Sequence, residues 1–296
     1  MFTLSQTTTP FIKDMVALTK PRITLMTLLL AGGGMVLAPH SLSMWKAAWA
    51  LLGIALLVSG SSAFNMYIER DYDGLMARTQ DRPLPAGRLA PLWALIAGWF
   101  LSLAAVPALI YATNPLTAAL GVFSLVSYVL IYTPMKRMSS LALVVGAIPG
   151  AMPALLGYTA ASNHLDTVGV ALFVVAFLWQ LPHFIAISIF RQKEYVEAGY
   201  PVVPEFMGRP WAKNLTVATS FLVVTSSLWL WVLHVGQGFY LLSCLALGLW
   251  FLSVNARGFF SPDVDGWARK VFYASLVYQV LLFVALAIDV MMQRLL

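Results

Sequence analysis

Nine stretches of this chain are apolar enough, and long enough, to cross a lipid bilayer, at about 22–40, 46–68, 90–112, 115–133, 140–161, 167–190, 214–234, 237–256 and 270–292. A hydrocarbon core about 30 Å thick takes roughly 20 such residues per helix. The chain therefore reads as an all-α integral membrane protein of nine transmembrane helices. Composition agrees, with 60% hydrophobic and only 10% charged residues, against roughly 25% charged in soluble domains. The first twenty-two residues are mixed and polar and lead straight into a full-length span, so no cleavable secretory segment is expected. The single cysteine, Cys244, lies within the eighth span, which excludes disulfides, zinc clusters and a Cys-x-x-Cys-His haem attachment.

A net charge of +6 invites a nucleic-acid reading, but the placement of the charges speaks for topology. Sixteen of the eighteen Lys and Arg residues fall in the N-terminal segment and in the loops 69–89, 134–139, 191–213 and 257–270; only Lys46 and Arg294 fall on the other side. The positive-inside rule puts the N-terminus in the cytoplasm and, with nine spans, the C-terminus in the periplasm. The expected location is a bacterial cytoplasmic (inner) membrane, with the lipid bilayer as partner and no nucleic acid.

Acidic residues do not set orientation, yet ten of the twelve share the cytoplasmic side. Asp166 and Asp289 are the exceptions and read as ordinary interfacial residues. Glu69, Asp71, Asp73 and Asp81 crowd one long loop and Glu194, Glu197 and Glu205 the other. These loops follow spans two and six, which points to a single domain over 1–296. Within it the expected parts are two parallel four-helix halves, 22–133 and 140–256, plus a C-terminal helix at 270–292. Corresponding loops of parallel repeats face each other across an axis along the membrane normal.

The strongest local signal is Asn65, Glu69 and Asp73, spaced every four residues. If the helix continues through them they share one face, about 6 Å apart, while Asp71 points elsewhere. Like charges at this spacing are mildly destabilising, so a hard cation is the natural reason for stacking them. Mg²⁺ fits best, being bound by one or two carboxylates together with substrate phosphate oxygens. Arg78, Arg82 and Arg88 follow in the same loop, and Arg191, Lys193 and Arg209 in the other. Guanidinium forks match phosphate oxygens, so the pattern describes a diphosphate site. The bland alternative is a solvated loop of mutually neutralising charges, disfavoured because Asn65 lies in the apolar part of its span.

A second group lies in span six: Trp179, Gln180, Pro182, His183 and Phe184. Pro182 should kink the span. His183, an intramembrane imidazole about three turns from Glu194, is open to three readings: a hydrogen-bonded packing residue, an iron ligand for a porphyrin, or a general base. His40, His164 and His234 sit near the other face. The small residues and prolines from Gly146 to Pro153, and the Gly32-Gly33-Gly34 run, read as sites of close helix packing.

These residues resemble the UbiA-type intramembrane prenyltransferases, and within them the haem-modifying branch. The resemblance runs over nearly the whole chain, from Lys20-Pro21-Arg22 through Arg82-Pro83-Leu84-Pro85, Lys136-Arg137 and the Trp179–Phe184 segment to Glu194–Pro204. It implies transfer of a farnesyl group from farnesyl diphosphate to a vinyl group of protohaem IX (haem B), giving haem O and diphosphate, with Mg²⁺ as cofactor. It places the metal at Asn65, Glu69, Asp73 and Glu194, with Arg78, Arg82, Lys136 and Arg137 completing the catalytic set. For substrate binding it implies His183, Trp179, Gln180, Arg191, Lys193 and Tyr67, and for the product a hand-over to haem A synthase or a terminal oxidase. Glu69 stands where the superfamily more often has Asp. The relatives' second motif is commonly Asp-x-x-x-Asp, whereas Glu194 is followed four residues later by Ala198, with Glu197 three residues away, which puts a full second metal site in doubt.

Tyr67, Tyr72, Trp179 and Phe184 offer ring faces to an allylic cation, or simply pack. The nearest rival reading is prenyl transfer to an aromatic or quinone-precursor acceptor, which needs the same acids but no iron ligand. A cation-coupled transporter is the rival from another class; it would favour charges near the bilayer midplane, and every charged residue here lies in a loop or near a span end.

Overall fold

The computed structural model describes residues 8–295, so the part of the N-terminal expectation that falls on residues 1–7 lies outside the described residues. Among the described residues every regular element is a helix, as lipid demands of any span that is not a closed barrel. In chain order these are α1 (Thr8–Leu18), α2 (Pro21–Leu37), α3 (Met44–Asp73), α4 (Pro91–Ala112), α5 (Pro115–Val126), a π-helix (Ser127–Tyr132) and α6 (Thr133–Met135). Then follow α7 (Ala142–Ser162), α8 (Thr167–Phe190), α9 (Gln192–Glu197), α10 (Val203–Phe206), α11 (Arg209–Val232), α12 (Gly238–Ala256), a 3₁₀ turn (Arg257–Phe259) and α13 (Val264–Leu295).

Eight helices are long and apolar enough to cross a membrane by themselves, and a ninth results if α1 and α2 count as one span bent by 43°. The expected first span is thus the weakest: α2 has only 17 residues. Large apolar side chains such as Trp99, Phe100, Leu103, Leu130, Leu242 and Leu249 stand exposed on the outside of the bundle. A soluble surface would rarely present so much apolar area. This is a multi-pass membrane protein.

Helix starts follow local chemistry. Proline occupies the first turn of α2, α4, α5 and α11, where its missing N–H is not needed. Side chains of Ser43, Asn114 and Asp166 accept from free N–H groups at the starts of α3, α5 and α8. Asp289 departs from its interfacial reading. It is 5% exposed and accepts the backbone N–H groups of Gln237 and Tyr240, tying α13 to the start of α12.

The glycine runs pack as their composition suggests. A Cβ on Gly34 would meet the backbone of Ala154 and Tyr158, and one on Gly157 would meet the backbone of Ala31, so α2 and α7 cross in backbone contact. Gly150 leaves room for the Gln180 side chain. Helix α8 runs on through Pro182, and α7 through Pro149 and Pro153; neighbouring helices shelter the backbone freed by such prolines.

Candidate active site

Helix α3 extends past the apolar run to Asp73, which puts Asn65, Glu69 and Asp73 on one face as their spacing requires. All three are buried, at 1%, 5% and 1% exposure, and each carboxylate has a cation on it. Lys136 Nζ donates to Glu69 Oε1 at 2.6 Å, and Arg82 Nη1 to Asp73 Oδ2 at 2.6 Å. Asp71 is 74% exposed beside Arg70, on the other side of the helix. Burial works to strip the proton from Lys136, but the neighbouring Tyr132 and Glu69 oxygens prevail and hold its pKa above the ordinary lysine value.

Two partners of Asn65 were not legible in the sequence. Lys20 Nζ donates to Asn65 Oδ1 at 2.6 Å, and Asn65 Nδ2 donates to Thr133 Oγ1 at 3.2 Å. Lys20 sits at the break between α1 and α2 with φ 47°, left-handed for a non-glycine residue, a conformation often kept at functional sites. Thr133 follows the π-helix Ser127–Tyr132 and donates to Tyr128 O at 2.8 Å. Such π-turns often mark functional sites, and this one delivers Thr133 and, just beyond it, Lys136 to α3. The available signal was Lys20 beside Pro21-Arg22.

The second and sixth loops meet. The Arg78 backbone N–H donates to Glu194 Oε1 at 3.3 Å, and its guanidinium to Tyr195 Oη at 3.4 Å. Beside this contact Tyr72 packs edge-on against Tyr200 at 5.9 Å. Glu194 also accepts from Arg191 at 2.7 Å. Burial raises its pKa, but the hydrogen bonds from Arg191 and the Arg78 N–H outweigh that and leave it below the usual glutamate value. Arg137 lies over the Tyr72 ring at 3.8 Å and donates to Ile68 O.

The donor set suits a hard divalent cation shared with a diphosphate. Among the described residues no three His, Cys, Asp or Glu side chains gather closely enough to hold a metal unaided, and Mg²⁺ does not need such a cage when phosphate oxygens complete its shell. Glu69 and Asp73, with the Asn65 amide, supply hard oxygens, and the basic side chains of Lys20, Arg82 and Lys136 lie hydrogen-bonded against them.

The residues expected to bind substrate divide into two groups. Within α8, His183 is 8% exposed and its ring lies between those of Trp179 (5.0 Å) and Phe272 (4.6 Å). Its Nδ1 lies 2.8 Å from Ser275 Oγ, and Ser275 spends its own proton on Phe272 O at 2.7 Å. Ser275 Oγ must therefore accept from His183 Nδ1–H, which leaves Nε2 with its lone pair free. Trp179 Nε1 donates to Ser275 O at 2.6 Å, and Gln180 Nε2 donates to the carbonyls of Ala147 and Ala176. Gln180 thus braces α8 against α7. Arg191 and the exposed Lys193 lie further out, lining a cavity near the loops. Tyr67 does not join either group. It packs with Leu18, Met66 and Leu84, under the Arg70 guanidinium, because two residues from Glu69 along a helix is the wrong face.

The model of the UbiA prenyltransferase family matches residues 24–277. The protoheme IX farnesyltransferase of Myxococcus xanthus (strain DK1622) is 44% identical over 276 residues, covering 93% of this chain and 94% of that protein. The protein of the same name from Sorangium cellulosum (strain So ce56) is 49% identical over 241 residues, 81% and 86% of the two chains. Among solved structures, digeranylgeranylglyceryl phosphate synthase superposes with a TM-score of 0.80 at 15% identity, covering 94% of this chain and 98% of that one. A UbiA homolog from Archaeoglobus fulgidus bound to DMAPP and Mg²⁺ gives 0.64 at 16% identity, covering 92% and 99%. Those likenesses speak for the fold, while the sequence matches span most of the chain: it belongs to the UbiA prenyltransferase family.

Proposed function

We propose that this protein transfers the farnesyl group of farnesyl diphosphate to a vinyl group of protohaem, with water adding to give haem O and diphosphate. Relatives named protoheme IX farnesyltransferase at 44% and 49% identity support the substrates. The observation that carries the chemistry is the buried Asn65, Glu69, Asp73 face, fringed by Lys20, Arg82 and Lys136. Ionisation of the allylic carbon–oxygen bond leaves a delocalised cation on the prenyl chain and charge on the diphosphate. Cations fixed in advance where that charge develops lower the barrier. Mg²⁺, when bound through Glu69, Asp73 and Asn65, adds Lewis-acid stabilisation of the leaving diphosphate.

The outer vinyl carbon then forms the new carbon–carbon bond, and the cation left beside the macrocycle takes water and loses one proton. A vinyl group is a weak nucleophile, so bulk water must stay out until that bond has formed; the seal between the two loops, built from Tyr72, Met76, Ala198 and Tyr200, fits this need. His183, through its free Nε2, is the residue of this chain suited to ligate the haem iron, and Glu194 to join the acids from the opposite loop.

The sixteen-to-two distribution of Lys and Arg favours an inner-membrane protein with its N-terminus in the cytoplasm and its C-terminus in the periplasm. The product, more apolar than its precursor, would pass within the bilayer to haem A synthase or a terminal oxidase. The test is to incubate the purified protein with protohaem, farnesyl diphosphate and Mg²⁺ and weigh the products. A haem heavier by one farnesyl group and one hydroxyl group, with one diphosphate released, is expected. Prenylation of an aromatic acid or quinone precursor, with protohaem untouched, would overturn the assignment.

A further inference from the structure

A cavity of about 830 Å³ opens beside the contact between the two loops, a volume typical of small-molecule sites, which run roughly 300–1,000 Å³. Arg78, Arg191 and Glu194 form one wall and Arg269, Phe272 and Tyr273 of α13 another. Four cations line it. Arg191 is engaged with Glu194 at 2.7 Å, Lys193 faces Glu197 at 3.9 Å, and Arg78 reaches Tyr195. Arg269 has no acidic or hydrogen-bond partner among the described residues; its guanidinium rests 5.6 Å from the centre of the Phe190 ring, which also carries Arg191 at 5.7 Å.

From this cationic mouth an aromatic wall leads inward. Phe190 touches Phe272 at 5.8 Å, Phe272 touches His183 at 4.6 Å, and His183 stacks on Trp179 at 5.0 Å. On α13, Phe272 stands one turn from Arg269 and one turn from Ser275, whose backbones lie about 9 Å apart along the helix axis. Ser275 is the residue that fixes the His183 imidazole. Uncommitted positive charge at the surface, ring faces between, and a nitrogen lone pair below match one kind of molecule: a flat macrocycle with carboxylates on one edge and a metal at its centre.

We propose that this cavity admits the porphyrin acceptor and that Arg269 anchors its carboxylates, leaving the vinyl-bearing edge directed into the bundle. This deepens the reading of protohaem as acceptor and rests on it. Arg269 would be a specificity-determining residue that acts by binding.

The test measures KM for acceptor and donor in wild type, Arg269→Gln and Arg269→Lys, with protohaem and with its dimethyl ester, whose carboxylates are masked. Loss of a charge-assisted hydrogen-bonded contact should raise the protohaem KM of Arg269→Gln about ten- to a hundredfold, with the farnesyl diphosphate KM unchanged. Wild type should show the same penalty with the ester, Arg269→Gln no further penalty, and Arg269→Lys a partial recovery with protohaem. An unchanged protohaem KM, an equal rise with acid and ester, or a rise confined to farnesyl diphosphate would overturn the proposal while turnover of protohaem persists. Failure of the wild type to farnesylate protohaem at all would instead remove the acceptor assignment, and this proposal with it.

Discussion

Lys136 Nζ donates to Glu69 Oε1 at 2.6 Å, joining residues 67 apart in the chain where the carboxylate is only 6% exposed. Breaking a buried pair from one side strands the remaining charge, at a cost of about 3 kcal/mol. Lys136→Met alone should therefore lower unfolding stability in detergent micelles by about that much, and Glu69→Gln with Lys136→Met should lose less than the sum of the single changes. Additive losses in that cycle would mean the two side chains do not act as a pair.

The α2–α7 crossing gives a steric contrast. Gly157→Ala pushes a methyl into the Ala31 backbone, and overpacking of this kind costs about 1–3 kcal/mol. Gly32 has nothing within 4 Å of a built Cβ, so Gly32→Ala should be neutral or slightly stabilising. Thermal melting of the two purified variants distinguishes them; equal behaviour would contradict the close crossing.

His183 and Ser275 form a relay in which the hydroxyl fixes the imidazole tautomer. Partners that orient a ligating imidazole are worth about 10–100-fold in affinity for the metal. Absorption titration with protohaem should show that Ser275→Ala binds more weakly by a factor in that range, and that His183→Ala loses the ligated spectrum. An unchanged spectrum in His183→Ala would remove this residue from the iron.

Acid should loosen the contact between the loops. Glu194 has a pKa below the ordinary 4.5, after burial is outweighed by Arg191 and the Arg78 N–H, so its stabilisation is present above about pH 4.5 and is lost as pH falls through the depressed value. Limited proteolysis of the loops should stay slow at neutral pH and accelerate in acid, and Glu194→Gln should cleave faster even at pH 7. Cleavage of the variant at the wild-type rate at neutral pH would show that Glu194 does not hold the loops.

What was legible in the sequence was whatever depends on period and length. The spans announced themselves by apolar runs, and the four-residue spacing of Asn65, Glu69 and Asp73 fixed their shared face once α3 proved continuous. The long-range partners of Asn65 and His183 were harder to see. Lys20 lies 45 residues before Asn65, Thr133 lies 68 after it, and Ser275 lies 92 after His183. No local pattern encodes such pairings; they exist because α2, the π-helix and α13 pack where they do. Asp289 misled for the same reason, since its role as a cap depends on the start of α12, 49 to 52 residues earlier. The placement of Tyr67 off the acid face, by contrast, follows from helical period alone.

The most direct measurement compares Mg²⁺-dependent release of diphosphate from farnesyl diphosphate by wild type and by Asp73→Asn, with protohaem present and folding confirmed by melting temperature. Loss of one oriented charge at the leaving group should slow the variant by about 10²–10³-fold while it still binds the donor. Release at the wild-type rate would show that the acids at the inner end of α3 do not carry the reaction.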